Sequence, residues 1–243
     1  SSINTYKTIL MIDPEYPFVL GNLVNDKLKD CNWHGLDVDL NDLKNKIIND
    51  KEIADPLLIS TLFDSSELLN KASKIWIKQF KTNDIQYMPR IYQKKTKIKI
   101  GYFSADFRDH PVGHLIVKML ETHDKSKYEI YGFYLGNKHK DKDVFHLRIK
   151  KAFTKFYDVS KMTDEEIIAL SENLNIKIAI DLMGHTGGHD SRFGIFLKKL
   201  APIQINFLGY PGTSASDKID YIIADKTVIP EKNKKFFSEK IIY

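Results

Sequence analysis

The sequence predicts an α/β fold, a doubly wound and mostly parallel sheet preceded by an all-α segment. Three observations carry that reading. Up to Phe80 the apolar residues recur only at helical spacing, while from Lys97 onward strand-length apolar runs alternate with helical stretches. The runs Ile176 to Leu182 and Ile203 to Leu208 are nearly continuous in apolar residues, as expected of strands covered by helices on both faces. A length of 243 residues suits one large α/β unit plus a smaller helical piece. The expected division is residues 1–90, helical, and residues 97–243, α/β, with a linker from Lys81 to Lys97 marked by Thr82-Asn83-Asp84, Pro89 and a lysine cluster.

In the helical part, Tyr6, Ile9 and Leu10 share a face and Asp13-Pro14 breaks the segment. Phe18, Leu20, Leu23, Val24 and Leu28 then resume the i, i+3, i+4 pattern. Amphipathic stretches follow from Leu36 to Ile48, from Ile53 to Phe63 with Pro56 as an interruption, and from Ser66 to Phe80. The series reads as a stacked helical array, and Asp13-Pro14 before an aromatic-rich helix resembles the end of a tetratricopeptide repeat.

In the α/β part, Lys97 to Phe103 alternates and ends in a loop, and Val112 to Leu120 has helical spacing. Tyr128 to Tyr134 reads as strand, Val144 to Ala152 as helix, and Met162 to Leu174 as helix opened by the capping-box pattern Thr163-x-x-Glu166. Strands are expected again at Ile176 to Leu182, Ile203 to Leu208 and Tyr221 to Ala224.

Composition narrows the function classes. No apolar run approaches the roughly 20 residues that cross a bilayer. The start lacks the marks of a signal peptide and the single Cys31 has no disulfide partner, so a cytoplasmic protein without membrane attachment is expected. The net charge of +5 comes from lysines spread along the chain, not gathered in a stripe, which argues against nucleic acid as a partner. Neither Gly-x-x-x-x-Gly-Lys-Ser/Thr, Gly-x-Gly-x-x-Gly nor Gly-x-Ser-x-Gly occurs.

Ligands of open parallel sheets bind outside the carboxyl ends of the strands, so the loops after strands are where chemistry is sought. Ser104 to His114, Asp181 to His189 and Leu208 to Ser214 are expected to converge on one edge. Asp109 can cap the helix opening at Pro111, which would leave His110 at the rim with free helix N–H groups beside it for an anion. A histidine there can take a proton near neutral pH, or simply pack in a turn. His114 reads as a supporting residue one turn on. The glycines of the second and third loops allow close backbone approach. His110, His114, His185 and His189 could be read as zinc ligands, but Gly187-Gly188 disfavours a helix between the second pair, and no metal is expected. Asp37-Val38-Asp39 imitates a metal-binding Asp-x-Asp but lies in a helical stretch and reads as a solvated face.

Taken in order, the segments Ile100 to Phe107 with His110-Pro111, Asp181 to Thr186, Ala201-Pro202-Ile203-Gln204 with Leu208 to Ser214, Asp220 to Asp225, and Ser238-Glu239-Lys240 resemble the O-GlcNAc transferases and the related SPINDLY proteins. The resemblance spans Lys97 to Tyr243, and Asp13-Pro14 with Cys31-Asn32-Trp33 looks like the repeat-to-catalytic transition of bacterial members. It implies a Rossmann-like amino-terminal lobe of a GT-B fold, inverting transfer of a sugar to a protein or peptide Ser/Thr hydroxyl, no metal and no cofactor, and UDP-N-acetylglucosamine as donor. By the same resemblance His110 is the catalytic histidine, and Thr186, Leu208, Gly209, Pro211 and Gly212 line the donor or acceptor site. His114, His185 and Asp181 are expected behind them. The family's nucleotide-holding lysine belongs to a second, carboxyl-terminal lobe, which this chain is expected to lack, so that alone it would have little activity and bind donor weakly.

Two alternatives stand beside this reading. SPINDLY-like relatives share these loops, which leaves protein fucosylation from GDP-fucose open. A non-catalytic interaction module would show an exposed groove on the helices and a His110 side chain buried away from the sheet edge.

Overall fold

The computed structural model describes residues 2–80, 97–136, 143–187 and 191–243. The linker expected from Lys81, and Gly188 and His189 of the second loop, lie outside the described residues. The chain divides into two compact units, one of Ser1–Phe80, Gly212–Ser216 and Glu231–Ser238, the other of Lys81–Pro211, Asp217–Pro230 and Glu239–Tyr243.

The first unit contains α1 (Ser2–Ile12), α2 (Val19–Lys29), α3 (Leu36–Ile48), α4 (Pro56–Leu62) and α5 (Ser66–Trp76), with short 3-10 turns at Ile77–Gln79 and Glu231–Phe236. The helical spacing read from the sequence is satisfied by one core of Leu20, Val24, Leu43, Ile47, Ile59, Leu68 and Ile75. Helix α2 begins without a side-chain cap. Its leading N–H groups are met instead by the segment before α4, with Phe18 N–H donating to the Glu52 carbonyl at 2.7 Å and Gly21 N–H to that of Ile53 at 3.0 Å. That approach needs Gly21, because a Cβ there would lie 2.7 Å from the Ile53 oxygen. Two expectations are corrected here. Pro56 opens α4 at its first position under an Asp55 cap, whose side chain accepts from Leu58 N–H at 2.9 Å, and does not interrupt a helix begun at Ile53. Asp39 is not on a solvated face, for it pairs with the buried Lys27.

The second unit is built on a seven-stranded sheet, β1 (Ile98–Ser104), β2 (Tyr128–Tyr134), β3 (Lys155–Asp158), β4 (Ile178–Asp181), β5 (Ile203–Phe207), β6 (Tyr221–Ile223) and β7 (Lys240–Ile242). The helices between them are α6 (Pro111–Thr122), α7 (Val144–Ala152), α8 (Asp164–Leu174) and the short α9 (Gly194–Leu197). The strand order is β3-β2-β1-β4-β5-β6-β7 and every pairing is parallel. The sheet is thus doubly wound, its order reversing between β1 and β4. β3, β7 and α9 were not foreseen. β3 is an edge strand of mixed polarity, Lys155-Phe156-Tyr157-Asp158, without the apolar run that marks a covered strand.

Register sorts the residues onto two faces. Ile100, Tyr102, Ile130, Ile180 and Ile205 lie on one, packed with Ile116, Val117 and Leu120 of α6 and Ile149 of α7. On the other, Phe103 stacks on Phe133 with centroids 4.3 Å apart and meets Phe196 of α9 edge-on at 5.5 Å. Ala179, Asp181, Gln204 and Asn206 share that second face by register. The capping box at α8 forms in full, Glu166 N–H donating to Thr163 Oγ1 at 3.2 Å and Thr163 N–H to Glu166 Oε2 at 2.8 Å. Among the described residues no helix is long and apolar enough to cross a membrane.

Phe103 is fully buried in the centre of the sheet, so Phe103→Ala is expected to cost about 3–5 kcal/mol of unfolding free energy, against about 1 kcal/mol for Thr163→Ala at the α8 cap. Urea unfolding of the two variants beside the parent checks the order.

Candidate functional site

Where the order of a parallel sheet reverses, the chains leaving the two neighbouring strands turn to opposite faces and leave a crevice between them. Here that crevice lies between the turn after β1 and the turn after β4. The Ala105 N–H, on the first turn, donates to Met183 Sδ, on the second, at 3.0 Å and joins them across it. The turn after β5 lies directly against the turn after β4, since a Cβ on Gly209 would fall 1.8 Å from the Leu182 carbonyl oxygen. The three loops therefore meet at one edge.

The first turn presents His110. Ser104 Oγ accepts from Asp106 N–H at 2.9 Å, and Phe107 buries its ring against Phe153 at 5.3 Å. His110, not Asp109 as expected, is the residue capping α6. Its backbone is extended, and its Nδ1 accepts from Val112 N–H at 3.3 Å. Asp109 turns outward, its Oδ1 2.7 Å from His114 Nε2, and the His114 ring lies 3.8 Å from that of Phe145. The histidine cap also corrects the expected anion site at the start of α6. Pro111 has no N–H and that of Val112 goes to His110 Nδ1, so Gly113 is the remaining first-turn N–H of the three.

The His110 side chain keeps 31% of its surface exposed, enough to meet a ligand. With Nδ1 accepting from Val112, the neutral ring carries its proton on Nε2. Asp106 Oδ2 lies 3.6 Å from the same Nδ1, while Asp106 Oδ1 accepts from Arg108 Nη2 at 3.0 Å. A ring protonated at Nδ1 would face that carboxylate and leave Nε2 free to take a proton.

The second turn is organised by Asp181, whose two oxygens accept from Met183 N–H at 2.9 Å and Gly184 N–H at 3.0 Å. Burial nonetheless pushes the Asp181 carboxyl up to about 6, the two N–H bonds pulling it back only in part. Gly184 takes φ +56° and sits where a Cβ would be 2.7 Å from Tyr210 Cβ. His185 is buried between Phe193 at 4.6 Å and Tyr210 at 5.2 Å, both edge-on. It supports the turn from within. Thr186 is half-buried at the rim, its hydroxyl donating to the Met183 carbonyl at 2.9 Å, which leaves oxygen lone pairs to accept.

The third turn is strained. Leu208 has φ +73°, and Gly209 N–H reaches back to the Phe207 carbonyl at 2.9 Å, a γ-turn of the rare hand. Leu208 and Gly209 are half-buried, Pro211 is exposed and Tyr210 is buried. Gly212 groups with the helical unit and is described there; beside it, Thr213 Oγ1 lies 3.2 Å from Ser238 Oγ and accepts from Ser238 N–H. His110, Thr186, Leu208, Gly209 and Pro211, with His114, His185 and Asp181, thus belong to three adjoining turns of one unit, and Gly212 is placed in the other.

Among the described residues no group of three or more His, Cys, Asp or Glu is arranged to hold a metal ion; His189 of the zinc reading lies outside them. Several contributors went unnoticed in the sequence. Asp106 carries no signal beyond being acidic, and Met183 and Tyr210 act only through contacts. Gln204 is buried and bonds the Leu200 N–H and the Phe196 and Lys218 carbonyls, holding α9 to β5. The Asn206 amide, in register with Asp181, has no partner among the described residues. Asp143 did leave a signal, an acidic residue directly before a predicted helix.

A family model described as glycosyl transferase family 41 matches residues 69–243. The chain is 33% identical over 147 residues to a protein of Arabidopsis thaliana named as probable UDP-N-acetylglucosamine–peptide N-acetylglucosaminyltransferase SEC, covering 60% of this chain and 15% of that protein. To the Caenorhabditis elegans UDP-N-acetylglucosamine–peptide N-acetylglucosaminyltransferase it is 33% identical over 153 residues, 62% of this chain and 13% of the other. A mutant of the Thermobaculum terrenum O-GlcNAc transferase shares the fold, with a TM-score of 0.74 at 21% identity over 99% of this chain and 46% of that one. The architecture is accordingly the amino-terminal, Rossmann-like half of a GT-B fold with a helical segment before it. The chain spans about a seventh of the length of these curated relatives.

Two outcomes follow from the turn geometry. Gly209→Ala, which sets a methyl on the Leu182 carbonyl, is expected to cost at least about 3 kcal/mol, whereas Gly187→Ala, strained at φ +89° but with its nearest neighbour 3.7 Å away, costs about 1 kcal/mol. Guanidinium unfolding compares them. Asp181, protonated in the fold up to about pH 6 but only to about 3.8 when unfolded, adds stability that is whole below about pH 4 and lost as the pH rises through 6. The unfolding free energy of the parent relative to Asp181→Asn should fall by about 2–3 kcal/mol from pH 4 to pH 7, and a pH-independent difference would contradict the assignment.

Proposed function

The chain belongs to glycosyl transferase family 41, and from that premise we propose that it is the amino-terminal lobe of the catalytic region of a protein O-glycosyltransferase. The reaction proposed is transfer of N-acetylglucosamine from UDP-N-acetylglucosamine to Ser or Thr hydroxyls of proteins, inverting and without a metal. The names of the similar plant and nematode proteins support that donor and a peptide acceptor. A carboxyl-terminal lobe that holds most of the nucleotide is part of the same proposal.

The observation that carries the reading is the placing of His110, partly exposed at the carboxyl edge of the sheet, beside the adjoining turns of Thr186 and of Leu208-Gly209. The interaction-module alternative requires this side chain buried away from that edge. Transfer breaks the bond between the sugar's anomeric carbon and the diphosphate, forms one to the acceptor oxygen, and releases the acceptor's proton. His110 is the base: in the tautomer protonated at Nδ1, which gives up the Val112 N–H bond, Nε2 takes the proton and the Nδ1–H faces Asp106 Oδ2, 3.6 Å away. Thr186 and the Leu208-Gly209 turn bound the sugar, where accessible backbone of strained geometry is fixed before the substrate arrives.

The test supplies labelled UDP-N-acetylglucosamine and GDP-fucose in parallel to the longest natural polypeptide containing this chain. Label should pass from the first donor to protein Ser/Thr, and His110→Ala should lower kcat by about 10²- to 10⁴-fold. Label from GDP-fucose alone reassigns the donor, and label from neither overturns the transferase reading.

A further inference from the structure

His110 stands on a stretch without regular structure, residues 105–110, yet a base must be held within a fraction of an ångström to be useful. The buried Phe107 ring and short bonds secure parts of it: Ser104 Oγ accepts from Asp106 N–H, Ala105 N–H reaches Met183 Sδ, Arg108 N–H donates to the Asp106 carbonyl at 2.8 Å, and His110 itself caps α6. Two further restraints come from α7. Asp109 N–H donates to Asp143 Oδ2 at 2.9 Å, and His146 Nδ1 lies 2.7 Å from the Phe107 carbonyl. A carbonyl can only accept, so His146 carries a proton on Nδ1.

We infer that Asp143 and His146, the first turn of α7, are positioning residues that fix the catalytic stretch from outside and so set the place of His110. The inference rests on the transferase reading above.

Three features make this more than an ordinary helix cap. Capping α7 takes one oxygen of Asp143, Oδ1, which accepts from His146 N–H at 3.0 Å; the second oxygen is turned to Asp109. Burial alone would raise the Asp143 carboxyl, but N–H bonds from Asp109, His146 and Phe145 hold it below its ordinary value, so it remains a charged acceptor. His146 is buried and clamped edge-on between Tyr134 and Phe156, each with ring centroids 5.4 Å away. Its donor is therefore fixed in direction. The two bonds grip the backbone at Phe107 and Asp109, on either side of Arg108, and Asp109 is the residue directly before His110. Phe145 of the same turn supports the His114 ring that Asp109 holds, which ties α6 into the brace.

The test uses the same long polypeptide. Asp143→Asn keeps a good cap but puts an amide nitrogen where Oδ2 accepted, and His146→Gln offers a more flexible donor, so the two probe each bond separately. Arg148→Ala is the control: it breaks the α6–α7 pair with Glu121, 2.7 Å apart, and removes a guanidinium lying 6.0 Å from the Phe145 ring, but leaves both bonds from Asp143 and His146 in place. Amide exchange at residues 107–110 should speed up about tenfold or more in both brace variants and not in the control. The kcat should fall about 10- to 100-fold with the donor KM within about twofold, again not in the control. Folded brace variants with parental kcat overturn the inference even if exchange rises. If the parent transfers no sugar at all, the functional proposal falls by itself, and the exchange data still judge the brace: parental protection in Asp143→Asn refutes it.

Discussion

A parallel sheet brings the carboxyl ends of all its strands to one edge, and a sheet wound outward from β1 in both directions cannot close over the place where its order reverses. The rest of the site depends on that gap between β1 and β4. The chain leaving β1 passes to α6, on the face of Ile100 and Tyr102, and the chain leaving β4 passes to α9, on the face of Phe103. One bank therefore carries His110 and the other Thr186, with the Ala105–Met183 contact between them. Neither bank could be shifted without moving a strand through a register fixed by two packed faces.

The two banks are held by different means. The β1 side is secured by side chains, through a buried phenylalanine and the acid and histidine of α7. The β4 and β5 side is secured by glycines that permit close approach, Gly209 against the Leu182 backbone and Gly184 against the Tyr210 side chain. Beside this close packing Leu208 holds a positive φ and the Asp181 carboxyl is enclosed. Each such feature costs on the order of 1–3 kcal/mol, and the continuous aromatic and aliphatic core on both faces of the sheet offsets it.

Much of this was legible in the sequence. Strand-length runs alternating with helical stretches announced a parallel sheet with β4 and β5 at its centre, and the Thr163-x-x-Glu166 pattern marked the cap of α8, whose helix begins at Asp164 where Met162 was expected. The edge strands β3 and β7 escaped because edge strands need no continuous apolar run. The cap of α6 was misassigned because a spacing rule favours Asp109 over histidine at a cap, and only the packed geometry of the turn shows which side chain points inward. Gly212 shows the same limit: its place in one run with Pro211 says nothing of which compact unit it joins.

By itself, then, the sequence determined the α/β class, the parallel winding and the loops that meet at one edge, since these follow from hydrophobic periodicity and strand direction, both local properties of the chain. Only the tertiary structure decided that Asp106 and not Asp109 faces the His110 ring, that Asp143 and His146 reach back to its loop, and that Asp181 is enclosed. Those relations join residues up to 39 positions apart in the chain, as for Phe107 and His146, and such distances carry no periodic trace; they arise when packing sets the direction of each side chain.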